Sequence, residues 1–183
     1  MNSENIKNLV ELFFINYEKQ NKNNILLTSL KDPSNHFSWK KTFHSLKKIS
    51  SEIKKYAKKG DRCLLISENR PEWFITDLSI MLSGAITVPA YTTYAERDYE
   101  YIIDNCNPKL IFVSNQEQFN KIKNIINKKI FVEKIFSFEE LDLEENKYVS
   151  INNLLLIIFF ILLNCSWFET NIADGLLSFI IYS

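Results

Sequence analysis

The chain has 183 residues, of which 46% are apolar, 14% aromatic and 24% charged, enough for one domain or slightly more and too apolar for a disordered segment. Its 22 Lys and Arg are cancelled by 22 Asp and Glu, so no overall basic excess points to nucleic acid and no acidic tail is present. Only Gly60, Gly84 and Gly175 occur, too far apart to gather backbone N–H groups around a phosphate, which excludes a complete P-loop or dinucleotide fingerprint in this chain.

Residues 4 to 20 place Ile6, Leu9, Val10, Leu12, Phe13 and Tyr17 at helical spacing, and Ile25 to Leu27 suits a short strand. The first 25 residues carry acids throughout and lack a basic start and a cleavage site, so they do not read as a signal peptide. After the turn at Asp32-Pro33-Ser34, His36 to Ser38 is extended, and Ser38 can cap a helix with the apolar face Trp39, Phe43, Leu46, Ile49, Ile53 and Tyr56, ended by Gly60. The lysines at 40, 41, 47, 48, 54, 55, 58 and 59 fall mostly between those positions. They suit either an anion-binding surface or a solvated helix face, and the periodicity favours the solvated face.

Cys63 to Ser67 is a continuous apolar run of the kind a parallel strand buried on both faces shows. Asn69-Arg70-Pro71-Glu72 then opens a helix, with Asn69 as cap, Glu72 placed to reach back to it and proline in the first turn. The predicted face is Phe74, Leu78, Met81 and Leu82, Gly84 ends the helix, and Ala85 to Ala90 returns as a strand. Residues 62 to 91 therefore form a β-α-β unit, expected to be right-handed. The alternation continues with a helix over 95–105, a strand over Leu110 to Val113, a helix over 116–126 and a strand over Ile130 to Ile135. The expected fold class is α/β, a mostly parallel sheet flanked by helices.

Residues 137 to 147 are acidic, and then the composition changes. Every Lys and Arg lies at or before Lys147, and Val149 to Phe168 carries no charge. That stretch has the length of a membrane span, but Asn152, Asn153 and Asn164 shorten its apolar run, so spanning is the less favoured reading.

Chemistry-bearing groupings are scarce. Cys63, Cys106 and Cys165 are isolated, which fits a reducing compartment, and His36 and His44 have no neighbours at metal-ligand spacing, so neither a catalytic nor a metal site is assigned. Open parallel sheets bind ligands beyond the carboxyl ends of their strands, which singles out Glu68 to Pro71 and the loop Tyr91-Thr92-Thr93-Tyr94. Helix capping is favoured over anion contact for Asn69, and ordinary packing over substrate contact for Tyr91 and Tyr94.

Three stretches resemble the amino-terminal region of AMP-forming acyl-CoA synthetases, members of the adenylate-forming superfamily. They are Phe37-Ser38-Trp39-Lys40, Gly60-Asp61-Arg62 through Ser67-Glu68-Asn69-Arg70-Pro71-Glu72-Trp73, and Gly84 through Val88-Pro89-Ala90-Tyr91 followed by Tyr99 to Asn115. The Glu-Asn-Arg-Pro-Glu-Trp and Val-Pro-Ala-Tyr-Thr-Thr-Tyr strings look most like long-chain fatty acid CoA ligases. The resemblance covers about residues 5 to 145.

Such enzymes use ATP and magnesium to turn a fatty acid into an acyl-adenylate, releasing pyrophosphate, and pass the acyl group to coenzyme A. The resemblance implies that the Ser/Thr/Gly-rich loop ending in Pro-Lys-Gly, the adenine and ribose contacts and the lysine of a carboxyl-terminal domain follow later in the family's chain. Phe179 to Ser183 looks like the lead-in to that loop, with Ser183 its first hydroxyl and the one cofactor-binding residue assigned. The implied division is a partial synthetase domain over 1–147, an aberrant apolar segment over 148–168 and a lead-in over 169–183. The middle segment reads as a reading-frame slip restored before Phe179. The expected chain is a truncated, inactive fragment without cofactor of its own, cytoplasmic, and not a nucleic-acid binder. Two alternatives stand beside it: a half-enzyme completed by a separate chain, and a non-catalytic α/β protein tethered to a membrane through 149–168.

Overall fold

The computed structural model describes residues 6–142 and 148–150. Helix α1 (Leu9–Lys19) is followed by a hairpin of β1 (Ile25–Thr28) and β2 (His36–Ser38), and then by α2 (Trp39–Ile53). The rest alternates: β3 (Arg62–Ile66), α3 (Pro71–Ser83), β4 (Ile86–Ala90), α4 (Glu96–Cys106), β5 (Leu110–Val113), α5 (Gln116–Ile126), β6 (Lys134–Ser137) and β7 (Tyr148–Ser150). The last five strands form one parallel sheet in the order β4-β3-β5-β6-β7, with β1 and β2 in a separate antiparallel pair.

The period-2 geometry of a strand divides the sheet's side chains between two cores. Cys63, Leu65, Leu110, Phe112 and Phe136 point to one face, where they join Phe13 of α1, Phe43, Leu46, Ile49 and Ile53 of α2, and Ile75 and Leu78 of α3. Leu64, Ile66, Ile111, Val113 and Ile135 point to the other, against Tyr99 and Ile103 of α4 and Phe119, Ile122, Ile125 and Ile126 of α5. Burial on both faces is why β3 and β5 are unbroken apolar runs. The edge strand β4 differs: Ile86 is half exposed, and Pro89, which cannot donate to a further strand, stands in it.

Local signals act where chemistry leaves little choice. The Ser38 hydroxyl accepts from the N–H of Lys41 at 3.2 Å and caps α2. Pro71 stands in the first turn of α3, and Gly84 ends that helix at φ 89°, a left-handed conformation that favours glycine. The Gly60 N–H donates to the Gly84 carbonyl at 2.9 Å, tying together the turns that lead into β3 and β4.

Four expectations are corrected. Helix α2 ends at Ile53, and Gly60 shapes the turn into β3 instead. Of the face predicted for α3, Leu78 is buried and Phe74, Met81 and Leu82 are partly buried against the same core, but the buried face is wider and also takes in Ile75, Thr76, Ser79 and Ile80. The strand placed at Ile130 begins at Lys134, where it meets Leu110 of β5, while Ile130 is almost fully exposed beyond a turn after α5. Asn69 does not cap α3, since Arg70 occupies that position without a side-chain cap. Of the segment 148–168, Tyr148–Ser150 pairs with β6 as β7. The remainder of that segment, and the lead-in 169–183 with Ser183, lie outside the described residues.

Candidate functional site

The strand order places β4 on one side of β3 and β5, β6 and β7 on the other. Chain connections therefore leave β3 and β5 in opposite directions, and the crevice beyond their carboxyl ends is where a parallel sheet offers a ligand site. Ser67 to Pro71 follow β3, Ser114 to Gln116 follow β5, and Phe138 and Glu139 follow β6. The turn between β1 and β2 comes down on the same place and borders an open cleft of about 370 Å³ lined by Leu27, Leu30, Lys31, Asn35, Glu68 and Arg70 among others.

Arg70 organises this crevice. Its Nε donates to Oε2 of Glu72 at 2.9 Å, and its Nη1 donates to Oε1 of Glu139 at 2.8 Å and lies 3.6 Å from Oε1 of Glu68. The guanidinium also stands 5.6 Å from the centre of the Phe138 ring. Glu72 is only 4% exposed, and its second oxygen accepts from Nδ2 of Asn35 at 3.3 Å, so the hairpin is joined to the start of α3 through one carboxylate. Burial by itself would lower the pKa of Arg70, but the bonds to Glu139 and Glu72 outweigh it and hold the guanidinium above its ordinary value. Burial opposes ionisation of Glu68 as well. Its own backbone N–H and the Arg70 and Lys31 cations nonetheless hold its carboxyl below the usual range.

The charge balance decides what the crevice can accept. Lys31 and Arg70 face Asp32, Glu68, Glu72 and Glu139, and Arg70 is already shared among three of those carboxylates. A triphosphate needs unpaired donors and surplus positive charge. The crevice residues therefore do not fit ATP, and no step through a nucleotide is assigned to them. Among the described residues, no three His, Cys, Asp or Glu are grouped so as to hold a metal ion.

The second sequence candidate, the Tyr91 to Tyr94 loop, is fixed by backbone contacts. The Tyr99 hydroxyl donates to the Tyr91 carbonyl at 2.7 Å, with Oε1 of Gln118 3.4 Å away, and Nζ of Lys121 donates to the Thr92 carbonyl at 2.7 Å. Tyr94 packs edge-on against Tyr91 and Tyr99, whereas the ring of Tyr91 is largely in water. Packing thus accounts for Tyr94. Asn69 is exposed beside Arg70, His36 is exposed, and His44 sets its ring edge-on against Phe43. Glu139 and Asn35 were not singled out by the sequence; they reach Arg70 and Glu72 from 69 and 37 residues away. The one available signal was the rarity of arginine, present only at 62, 70 and 97.

Tyr99 and Cys63 carry an alkaline signature. Burial pushes each up to about 12, the Tyr99 phenol from 10.0 and the Cys63 thiol from 9.0. Both stay protonated in the fold after the unfolded chain has ionised. Their contribution to stability is therefore complete below pH 9 and falls away between about pH 9 and 12. Tyr99→Phe is expected to cost about 1 kcal/mol at pH 7 through the lost hydrogen bond and to flatten that alkaline slope above pH 10. Urea unfolding at a series of pH values measures both.

The sequence profile of the family described as "AMP-binding enzyme" matches residues 16–157. Over 83 residues the chain is 29% identical to the long-chain-fatty-acid–CoA ligase ACSBG2 of Xenopus laevis, which is 45% of this chain and 11% of that protein. It is 30% identical over 111 residues to luciferin 4-monooxygenase of Photuris pensylvanica, 59% of this chain and 20% of that one. The anthranilate CoA ligase AuaEII, solved with anthranoyl-AMP, superposes with a TM-score of 0.73 at 21% identity, covering 86% of this chain and 30% of that chain. A luciferase-like enzyme of the nonluminescent mealworm Zophobas morio gives 0.69 at 17% identity, covering 85% and 35%. These likenesses show the fold, and the chain spans only a small part of the length of its curated relatives. Among the described residues, no helix is long and apolar enough to cross a membrane.

Proposed function

Since the chain belongs to the AMP-binding enzyme family, we propose that it is the amino-terminal part of an AMP-forming ligase that activates long-chain fatty acids with ATP and magnesium and transfers them to coenzyme A. The observation that carries this reading is the family match over residues 16–157. Three long-chain-fatty-acid–CoA ligases, from Xenopus laevis, Gallus gallus and Rattus norvegicus, stand among the relatives and support the substrate class. The part played by the described residues is structural. They supply a parallel sheet with both faces covered and a crevice closed by its own ion pairs, while ATP, magnesium and coenzyme A belong to the complete enzyme.

The 183-residue chain alone is expected to show no fatty-acid-dependent exchange of pyrophosphate with ATP above a no-protein control. With only three scattered glycines, its sequence offers no glycine-rich loop to gather backbone donors around a transferring phosphoryl group, and one such interaction is worth several kcal/mol of barrier. Exchange by the isolated chain would overturn this. The assignment itself is tested on the transcript: a frame encoding a Ser/Thr/Gly-rich loop ending in Pro-Lys-Gly is expected beyond codon 183, and its absence from all three frames would refute the fragment reading. The same translation tests the frame slip over 148–168, for which another frame should give a charged, loop-like sequence.

A further inference from the structure

The turn that joins β1 to β2 takes no part in either core. From Thr28 to Asn35 no residue is buried, and Leu30 is 97% exposed. The turn is nevertheless ordered within itself. The Ser29 N–H donates to the Asn35 carbonyl at 2.9 Å and the Asn35 N–H to the Asp32 carbonyl at 3.0 Å. Oδ1 of Asp32 accepts from the N–H of Ser34 at 3.0 Å and from its hydroxyl at 2.6 Å. A turn closed by its own bonds moves as one body.

Its base is anchored. Leu26 and Leu27 of β1 and Phe37 of β2 pack into the core beneath α1, α2 and α3, and Nζ of Lys41 donates to the His36 carbonyl at 3.1 Å. Beyond that base two polar contacts reach the rest of the described residues: Nδ2 of Asn35 donates to Oε1 of Glu72 at 3.3 Å, and Nζ of Lys31 lies 3.5 Å from Oε1 of Glu68. Between the turn and the floor formed by Glu68 to Pro71 lies the open cleft of about 370 Å³. Lys31 is exposed, and such pairs contribute little, so the bond to the Glu72 carboxylate is the stronger of the two. The Tyr91 to Tyr94 loop at the same end of the sheet is the contrast: Tyr99 and Lys121 hold its carbonyls, and Tyr94 packs on Tyr99.

We propose that the turn over residues 29–35 is a gate hinged at Thr28 and His36, latched to the crevice by Asn35 on Glu72 and Lys31 on Glu68, whose release opens the crevice from the hairpin side. An element with self-contained bonds, no buried side chain and two polar latches opens at far lower cost than the fold around it. Its motion is that of a hinge, with the change in torsion taken up at the strand ends. In the latched state Glu72 is 4% exposed behind the Asn35 amide. Release brings Glu72 and Arg70 into reach of solvent, beyond the carboxyl ends of the strands, where sheets of this kind take their ligands. The gate rests on the geometry of the crevice and is independent of the fatty-acid assignment.

The test is amide nitrogen relaxation dispersion on the full chain, which reads exchange on the microsecond to millisecond scale. One exchange process shared by the amides within residues 29–35 is expected, absent from Leu26, Leu27, Phe37 and the Tyr91 to Tyr94 loop. Asn35→Ala removes a hydrogen bond to a charged group and should raise the open population about tenfold. Lys31→Gln removes an exposed pair and should change it about twofold or less. Lys109→Gln, which breaks the distant pair with Glu133, should leave it unchanged. Circular dichroism checks that the variants fold. In the unaltered chain, a carbodiimide that joins Lys31 to Glu68 as an amide, itself taking up the water removed to become a urea, should quench the shared exchange. That measurement keeps the proposal testable if a variant does not fold. No shared exchange in the Asn35→Ala chain, unrelated rates along residues 29–35, the same process in the Tyr91 to Tyr94 loop or in β3 and β5, or exchange that survives the Lys31–Glu68 amide would each overturn it.

Discussion

Phe112→Ala is expected to lower the stability of the chain by about 4 kcal/mol, the range for a fully buried aromatic ring whose removal leaves a cavity. Phe112 lies on β5, in the middle of the parallel sheet, and is 0% exposed. Its ring stacks on that of Phe136 from β6, with centres 4.9 Å apart and planes 13° from parallel. The flanking strands pair on both sides of β5 and cannot close over the gap without breaking their ladders. Phe112→Leu retains most of the volume and should cost about half as much. Urea denaturation followed by circular dichroism measures the difference, and a loss below about 1 kcal/mol for the alanine variant would contradict the packing described here.

Arg70→Ala is expected to cost about 3 kcal/mol, because it strips the cation from a carboxylate that is 4% exposed. Glu72 would keep the Asn35 amide at 3.3 Å and the charge of Lys41, and Glu139 would lose its anchor at the end of β6. Most of the effect should come from the Glu72 charge rather than from the exposed partners, since exposed ion pairs contribute little. The double variant Arg70→Ala, Glu72→Gln should therefore be less damaged than the sum of the single variants, and the double-mutant cycle reads the coupling directly. The acid side of the stability profile changes too. The Glu68 carboxyl is held below its usual range, so its stabilisation is present at neutral pH and is lost as pH falls through the carboxylate range. Without Arg70 the folded carboxyl moves back toward its unfolded value, so this contribution and the acid-side slope should both be smaller.

The same cluster explains why the crevice, although placed where ligands bind in sheets of this kind, does not read as a phosphate site. Its cation is held by its own carboxylates, and its most visible consequence is mechanical, joining the β1–β2 turn, the start of α3 and the end of β6. The conspicuous sequence string from Glu68 to Trp73 thus marks a structural junction in this chain.

What the sequence determined by itself was set by interactions between near neighbours along the chain. The apolar period of Phe43, Leu46, Ile49 and Ile53, the Ser38 cap, Pro71 and Gly84 all act within a few residues, and the uninterrupted run Cys63 to Ile66 announced a strand covered on both sides. Strands and helices in alternation then left a parallel sheet as the economical arrangement. Tertiary structure decided what depends on partners far along the chain. Lys134 rather than Ile130 begins β6 because that is where β5 offers hydrogen bonds, and Asn69 is not the cap because Arg70 and Glu72 are drawn into an ion-pair network completed by Glu139 and Asn35. The physical reason is the same in each case: local torsional and capping preferences are worth about a kilocalorie per mole, and a buried charge or an unpaired strand end costs more, so the long-range partner decides wherever the two disagree.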